Sequence, residues 1–286
     1  MIIDFHTHTF PDELAKKTIP YLESKAGFIA RTDGTVKGLE ESMEEANIDL
    51  SVLLPVITNP KHVEKINNCA IENNKLDKFI SFGGIHPDYL EYKDELKRLK
   101  DNGIKGIKLH PDYQDTFIDD PKMVNIINEA FRLGLIVIIH SGIDYGSTEV
   151  IRATPERIKN LLKKLEYKGT FVLAHMGYTF KWDMIIDEFK GYDIYFDLAL
   201  CLGTLIMNGK SYPLMDEDTL IRFIDTFGSN RILFATDSPC TYSGKMTNFN
   251  CEKRITYEDE ISLFNKLPED YRKLIAHDNP IRYLFG

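Results

Sequence analysis

Short apolar runs rich in β-branched residues recur along the chain at 2–8, 48–57, 79–86, 103–110, 134–140, 170–175, 192–198 and 230–237. They predict eight strands. Runs such as LIVIIH, which ends at His140, are continuously apolar rather than alternating, as parallel strands covered on both faces are. Between the runs lie segments with helical spacing: VKGLEESMEEAN, KHVEKINNCAIENNKL, PDYLEYKDELKRLKDN, DPKMVNIINEAFRLG, TPERIKNLLKKLEYKG, KWDMIIDEFKG, DEDTLIRFIDTFG and YEDEISLFNKL. Each strand therefore has a helix after it. Gly103, Gly134, Gly169, Gly191 and Gly228 stand between a helical pattern and the next strand, where left-handed C-caps are expected, and Asp or Pro often opens the helix.

Right-handed crossovers leave two architectures, an open doubly wound sheet or a closed barrel. The polar residues at the strand ends decide between them. Six of the eight histidines and one aspartate close apolar runs: His6 and His8, His86, His110, His140, His175 and Asp237. In an open sheet the ends of the first and eighth strands lie far apart, whereas closure makes them neighbours. A single-domain (β/α)8 TIM barrel over 1–286 is thus expected, with its chemistry at the C-terminal mouth. The amphipathic tail PEDYRKLIAHDNPIRYLFG is expected to pack across the outside.

Composition narrows the class. At 286 residues with a 43% hydrophobic fraction, one large domain with a sizeable core is feasible, and no linker or low-complexity block divides it. A formal charge of −9 argues against nucleic acid as a partner. Cys69, Cys201, Cys240 and Cys251 form no CxxC pair, which suits reduced thiols and a cytoplasmic protein. Neither a secretory leader nor a membrane-spanning run is apparent.

His6 and His8 lie two apart on one strand, so both side chains can reach a single ion. Imidazole suits zinc, and also manganese or iron. His140, followed by the small residues Ser141 and Gly142, is the expected third ligand. Asp237 in FATDSP is a carboxylate whose burial without a cation would be costly, so it is expected as both ligand and general base. His175 in LAHMG is expected as general acid or oxyanion partner, with support of a ligand as the alternative.

HTH, GIKLHP, IIHSG, LAHMG, FATDSP and the terminal HDNPIRYLFG, taken as an ordered set, resemble the amidohydrolase superfamily. The similarity is to its amidohydrolase-2 branch, which includes aminocarboxymuconate-semialdehyde decarboxylase-like enzymes. The resemblance covers nearly the whole chain. It implies a distorted (β/α)8 barrel with one divalent metal, Zn2+ first and Mn2+ or Fe2+ as alternatives, on His6, His8, His140 and Asp237. It also implies His175 as the catalytic histidine. Members are often dimers, so a homodimer is one expected assembly. In binuclear relatives a carboxylated lysine near the end of strand four bridges two metals, close to the place of Lys108. An ordinary inward lysine pairing with Asp237 or a substrate anion is favoured, since Lys108 lies two residues before the strand end. His110 is a candidate contact to substrate or to a second metal. His86 is expected to be structural or at the rim. Arg152 and Tyr113 are candidate substrate contacts, with Tyr145, Trp182 and Lys245 as further loop residues; His62 and His277 have no evident role.

Hydrolysis of an amide, ester or lactone carbonyl of a small molecule by a metal-activated water is the leading expectation. Non-oxidative decarboxylation of a carboxylated aromatic or muconate-like substrate comes second. A TatD-like nuclease ranks third, because GIKGIKLHPDY lacks the expected glutamate. A metal-free binding or scaffold barrel comes last.

Overall fold

The computed structural model describes residues 1–26, 29–144, 150–202, 204–207, 210–240 and 257–286. Its strands are β1 (Ile3–Thr7), β2 (Leu50–Leu53), β3 (Phe79–Ser81), β4 (Gly83–Gly84), β5 (Gly106–Leu109), β6 (Ile136–Ile139), β7 (Phe171–Leu173), β8 (Tyr195–Asp197), β9 (Thr204–Met207), β10 (Lys210–Pro213) and β11 (Ile232–Leu233). All pair in parallel except β9 with β10, which form an antiparallel hairpin. The order β1-β2-β3 continues through Phe82 into β4-β5-β6-β7-β8-β11. The expected strand 79–86 is therefore two short pieces.

Closure is made by backbone. Phe5 N–H donates to the Phe234 carbonyl at 2.8 Å, and Asp237 N–H donates to that of His6 at 2.9 Å. His8 N–H reaches the Ser238 carbonyl at 2.6 Å. The last strand thus lies beside the first, completing a (β/α)8 barrel.

Helices α1 (Asp12–Ala26), α2 (Val36–Ala46), α3 (Val63–Asn73), α4 (Tyr92–Asp101), α5 (Pro121–Arg132), α6 (Pro155–Lys164), α7 (Trp182–Phe189), α8 (Glu217–Phe227) and α9 (Tyr257–Phe264) follow the strands, with α10 (Glu269–Lys273) and α11 (Asn279–Phe285) in the tail. Several begin as the pattern predicts. Thr35, Asp120, Thr154 and Asp216 each accept a backbone N–H as N-caps, and Pro121 and Pro155 occupy the first turn. Helix α1, with Pro20 in its middle, was not expected. Hairpin β9-β10 was not expected either. Gly103, Gly134, Gly191 and Gly228 do adopt positive φ, between 68° and 90°. Gly169 does not: it is where the Phe131 ring packs against backbone, leaving no room for a Cβ.

Two apolar clusters divide the core. One lies between strands and helices and includes Ile107, Leu109, Val137, Ile139, Phe171, Phe196 and Phe234. The other holds residues alternating with these, Ile136, Ile138, Val172 and Leu233, with Ile3, Phe5, Ile80 and Phe82, and fills the barrel. The tail serves both. Ile275 joins the outer cluster and its carbonyl accepts from Phe234 N–H, as expected of a tail on the outside. Leu284 instead joins the inner cluster, with Tyr283 against Tyr195 at 5.1 Å, so α11 also covers the end where the strands begin. Leu284→Ala should cost about 3 kcal/mol in urea denaturation, the usual range for an emptied core leucine. Activity should survive it, since the strand-end histidines and Asp237 lie at the opposite end.

Candidate metal centre

Strand β1 prepares the site with an irregularity. Its register runs Asp4↔Ser51 and then Thr7↔Leu53, three steps against two, so one extra residue bulges beside His6 and His8. Such bulges re-aim side chains next to active sites. Asp237 has φ 68°, and His175 and Met176 are consecutive left-handed residues at φ 60° and 51°. Non-glycine residues in this region cost about 1 kcal/mol or more each, which the surrounding packing must hold in place.

The His6 ring donates from Nδ1 to Asp197 at 2.8 Å, and His8 donates from Nδ1 to the Leu54 carbonyl at 2.6 Å. Both partners only accept, so in each neutral ring the lone pair is on Nε2. The two Nε2 atoms lie 3.1 Å apart, and Asp237 Oδ1 lies 3.0 Å from the first and 3.1 Å from the second. Three electron-pair donors this close repel one another unless a cation or a proton sits among them. A tetrahedral zinc site, with bonds of about 2.0–2.1 Å, sets its ligand atoms about 3.4 Å apart. The residues present therefore fit a divalent metal.

Burial lowers His8, with Asp237 opposing it. His6 is raised: burial and Lys108 act to lower it, but Asp197 and Asp237 outweigh them. Asp237 is held well below the ordinary carboxylate range, the two histidines overcoming its burial. Lys108 is wholly buried, and its Nζ lies 3.1 Å from His6 Nε2. Burial brings that ammonium down to about 8, while Asp197, Asp237 and Asp144 pull it upward.

His140 falls into a different group. Its Nε2 lies 4.0 Å from Asp144 Oδ2, and His110 Nε2 lies 3.5 Å from the same oxygen. Tyr113, His110 and His140 form a continuous stack, with ring centroids 4.0 and 4.1 Å apart. Gln114 steadies the turn carrying His110, accepting from His110 N–H and donating to the carbonyls of Ile57 and Ile85. Both ring nitrogens of His175 are engaged, Nδ1 with the Ala199 carbonyl at 3.0 Å and Nε2 with His140 Nδ1 at 3.1 Å.

A cavity of about 620 Å³ opens over these residues. His6, His8, Lys108, His110, Tyr113, His140, Asp144, His175 and Asp237 line it, with Cys240 beside them. Phe10, Leu14, Tyr21 and Leu22 from the β1–α1 region form an apolar approach, where His62 and Lys25 also lie. Arg152 does not line the cavity. Its guanidinium engages Asp115 and lies 3.8 Å from Asp112. Trp182 is buried in the outer core, and His86 Nδ1 accepts from Asp88 N–H in its own turn. His277 pairs with Asp278 on the tail. Tyr145, Lys245 and Cys251 lie outside the described residues.

Sequence reasoning missed two residues. Asp197 ends β8 in YFDLA and holds His6, His175 and Ala199 together: its Oδ1 accepts from the backbone N–H of His175 at 2.9 Å and of Ala199 at 3.2 Å. Its place at a strand end was the available signal. Asp144, four residues after His140, was the other.

Asp112, after β5, accepts from Arg152 N–H at 2.9 Å through Oδ1, while its buried Oδ2 has no partner. Burial raises its carboxyl to about 6, against the pull of Arg152. A raised folded-state pKa means stability that is fully present below about pH 4 and lost as pH rises through 6. Asp112→Asn should therefore be more stable than the parent at pH 7.5, on the order of 2 kcal/mol, and no more stable at pH 4. Thermal denaturation at the two pH values reads this directly.

A family model described as Amidohydrolase matches residues 3–286. No curated protein matches the chain by sequence. Among solved structures, an uncharacterised TIM-barrel protein from Bordetella bronchiseptica aligns with TM-score 0.71 and 21% identity over 99% of this chain and 98% of its own. A probable 2-pyrone-4,6-dicarboxylic acid hydrolase from Acinetobacter baumannii, with citric acid bound, aligns with TM-score 0.64 and 16% identity over 100% and 99%. A dihydroxybenzoic acid decarboxylase from Polaromonas, with manganese and an inhibitor bound, aligns with TM-score 0.62 and 16% identity over 99% and 96%.

Proposed function

The chain belongs to the amidohydrolase family, and we propose that it hydrolyses an amide, ester or lactone carbonyl of a small molecule with a water activated at His6, His8 and Asp237. The observation carrying this is the convergence of three electron-pair atoms within 3.0–3.1 Å of one another. A divalent cation held there would supply Lewis acidity, polarising a carbonyl and lowering the pKa of a water to about 7. Zinc suits two imidazoles and a carboxylate, although manganese is the metal in the Polaromonas neighbour. His140 was expected from the sequence to be a further ligand; its buried Nε2 has no hydrogen-bond partner, and we keep it in that role.

The protein's own groups do the rest. Asp197 and the Leu54 carbonyl fix the two rings so that both lone pairs face inward. The Asp237 carboxylate takes the proton of the attacking water and returns it to the leaving group. His175 acts through His140, whose ring it orients. The Lys108 ammonium lies close enough to the triad to balance negative charge as it builds on the carbonyl oxygen. The cavity, about 620 Å³, suits a small-molecule substrate.

Decarboxylation is the second reading, supported by the decarboxylases among the structural neighbours. Hydrolysis is preferred because the described cavity wall carries only two lysines or arginines, Lys108 at its floor and Lys25 at its approach, to meet a substrate carboxylate. The test is an assay of esters, lactones and amides in 18O-labelled water, with carbon dioxide measured in parallel and metal determined on protein purified without chelators. One 18O atom in the acid product and loss of activity on chelation are expected. Stoichiometric carbon dioxide release would replace this reading with the lyase.

A further inference from the structure

Helix α1 has two apolar faces where a surface helix ordinarily has one. Ala15 and Ile19, one helical turn apart, are 1% and 8% exposed and pack it onto the molecule. The Ile19 side chain lies so close to Gly34 that a Cβ there would stand 2.5 Å from Ile19 Cδ1. The second face holds Leu14, Thr18, Tyr21, Leu22 and Lys25, and all of them line the cavity. At about 100° per residue this face is turned about a quarter circle from the first. Leu14 is nonetheless 50% exposed and Tyr21 59%. Val56, after β2, and Ile66, on α3, line the same cavity. Single exposed apolar side chains need no explanation, but a contiguous apolar wall that runs up to a reactive centre marks a ligand surface.

Continuity selects the occupant. The wall and the converging atoms of His6, His8 and Asp237 belong to one cavity, so a molecule held at the triad has the α1 face beside it. From Leu14 to Lys25 the helix rises about 16 Å. At about 1.3 Å of advance per carbon, an extended chain on the order of ten carbons matches that length, whereas a single ring covers only part of it. Charge agrees. The acidic residues of the described lining, Asp144 and Asp237, lie beside the histidines, and the α1 face carries one charged group, Lys25. Its stem can cover apolar surface while the ammonium stays in water. We propose that the second face of α1 is a subsite for a linear apolar chain, so that the substrate is a medium-chain ester, lactone or amide whose hydrocarbon lies against Leu14, Tyr21 and Leu22. This rests on the hydrolase reading for the carbonyl at the triad, but its test reads binding alone.

Calorimetric titration of the zinc-loaded protein with straight-chain hydroxamates of increasing length makes the comparison, the hydroxamate serving as a constant metal-binding head. Affinity should rise about threefold for each added methylene, as burial of a CH2 group predicts. The double substitution Leu14→Ser with Tyr21→Ser, at two half-exposed positions, should flatten that rise. Lys16→Ser, on the opposite side of α1 and outside the lining, should leave it intact. Equal affinity along the series in the parent protein would overturn the subsite, and this comparison stands even if the double variant does not fold. An undiminished rise in the folded double variant would overturn it as well. A flat series together with dimerisation that the double variant abolishes would give the face to a second copy of the chain instead. If the rise holds while no ester, lactone or amide is turned over, the subsite stands and the hydrolase reading falls.

Discussion

Asp237→Asn should lower turnover by about a thousandfold, within the range set by loss of a positioned general base. The amide loses both of the proposed functions of this carboxylate. It cannot take the proton of the attacking water, and it presents a neutral group to the two imidazole lone pairs that lie 3.0 and 3.1 Å from Asp237 Oδ1. His8→Ala should produce a comparable loss by another route, since it removes one of the three converging atoms outright. Metal analysis separates the two: His8→Ala should retain substoichiometric metal after dialysis, whereas Asp237→Asn should retain more of it with little activity. Full activity in either variant would remove the assigned mechanism.

Asp197→Asn should be nearly as damaging, although this residue is not in the cavity wall. The asparagine carbonyl can still accept from the backbone N–H groups of His175 and Ala199, so the turn after β7 should survive. Its NH2 group would then face His6 Nδ1, where the native carboxylate accepts at 2.8 Å. His6 can meet that donor only by moving its own hydrogen to Nε2, the atom that faces His8 and Asp237. The tautomer is inverted and the lone pair at the centre disappears. Metal affinity should fall 10–100-fold, as it does when the partner of a ligating histidine is lost. Chelator competition reads the affinity and circular dichroism the fold; native affinity in the variant would refute the tautomer argument.

Much of the architecture was legible because parallel barrel strands are covered on both faces. LIVIIH and FVLAH needed no alternation to declare themselves, and the ligand-type residue closing each run marked the mouth. The features that escaped were marked weakly or not at all. Pro20 conceals α1, which nevertheless builds the approach to the cavity. Asp197 lies within the apolar run YFDLAL, and nothing local says that it supports a histidine 191 positions away. Arg152 had the chemistry of a carboxylate anchor, but only the folded chain shows Asp112 and Asp115 beside it. The roles of His140 and His175 depend on which nitrogen faces which neighbour, a property of ring orientation that spacing along the chain cannot express.

The triad joins residues 229 positions apart, on the strands whose pairing closes the barrel. An ion held there would act as a latch on the ends of the chain. It would favour the closed molecule over every open one by its own binding free energy, RT ln(1 + [M]/Kd). Thermal midpoint should then climb with the logarithm of free metal, making the catalytic ion part of the protein's heat resistance.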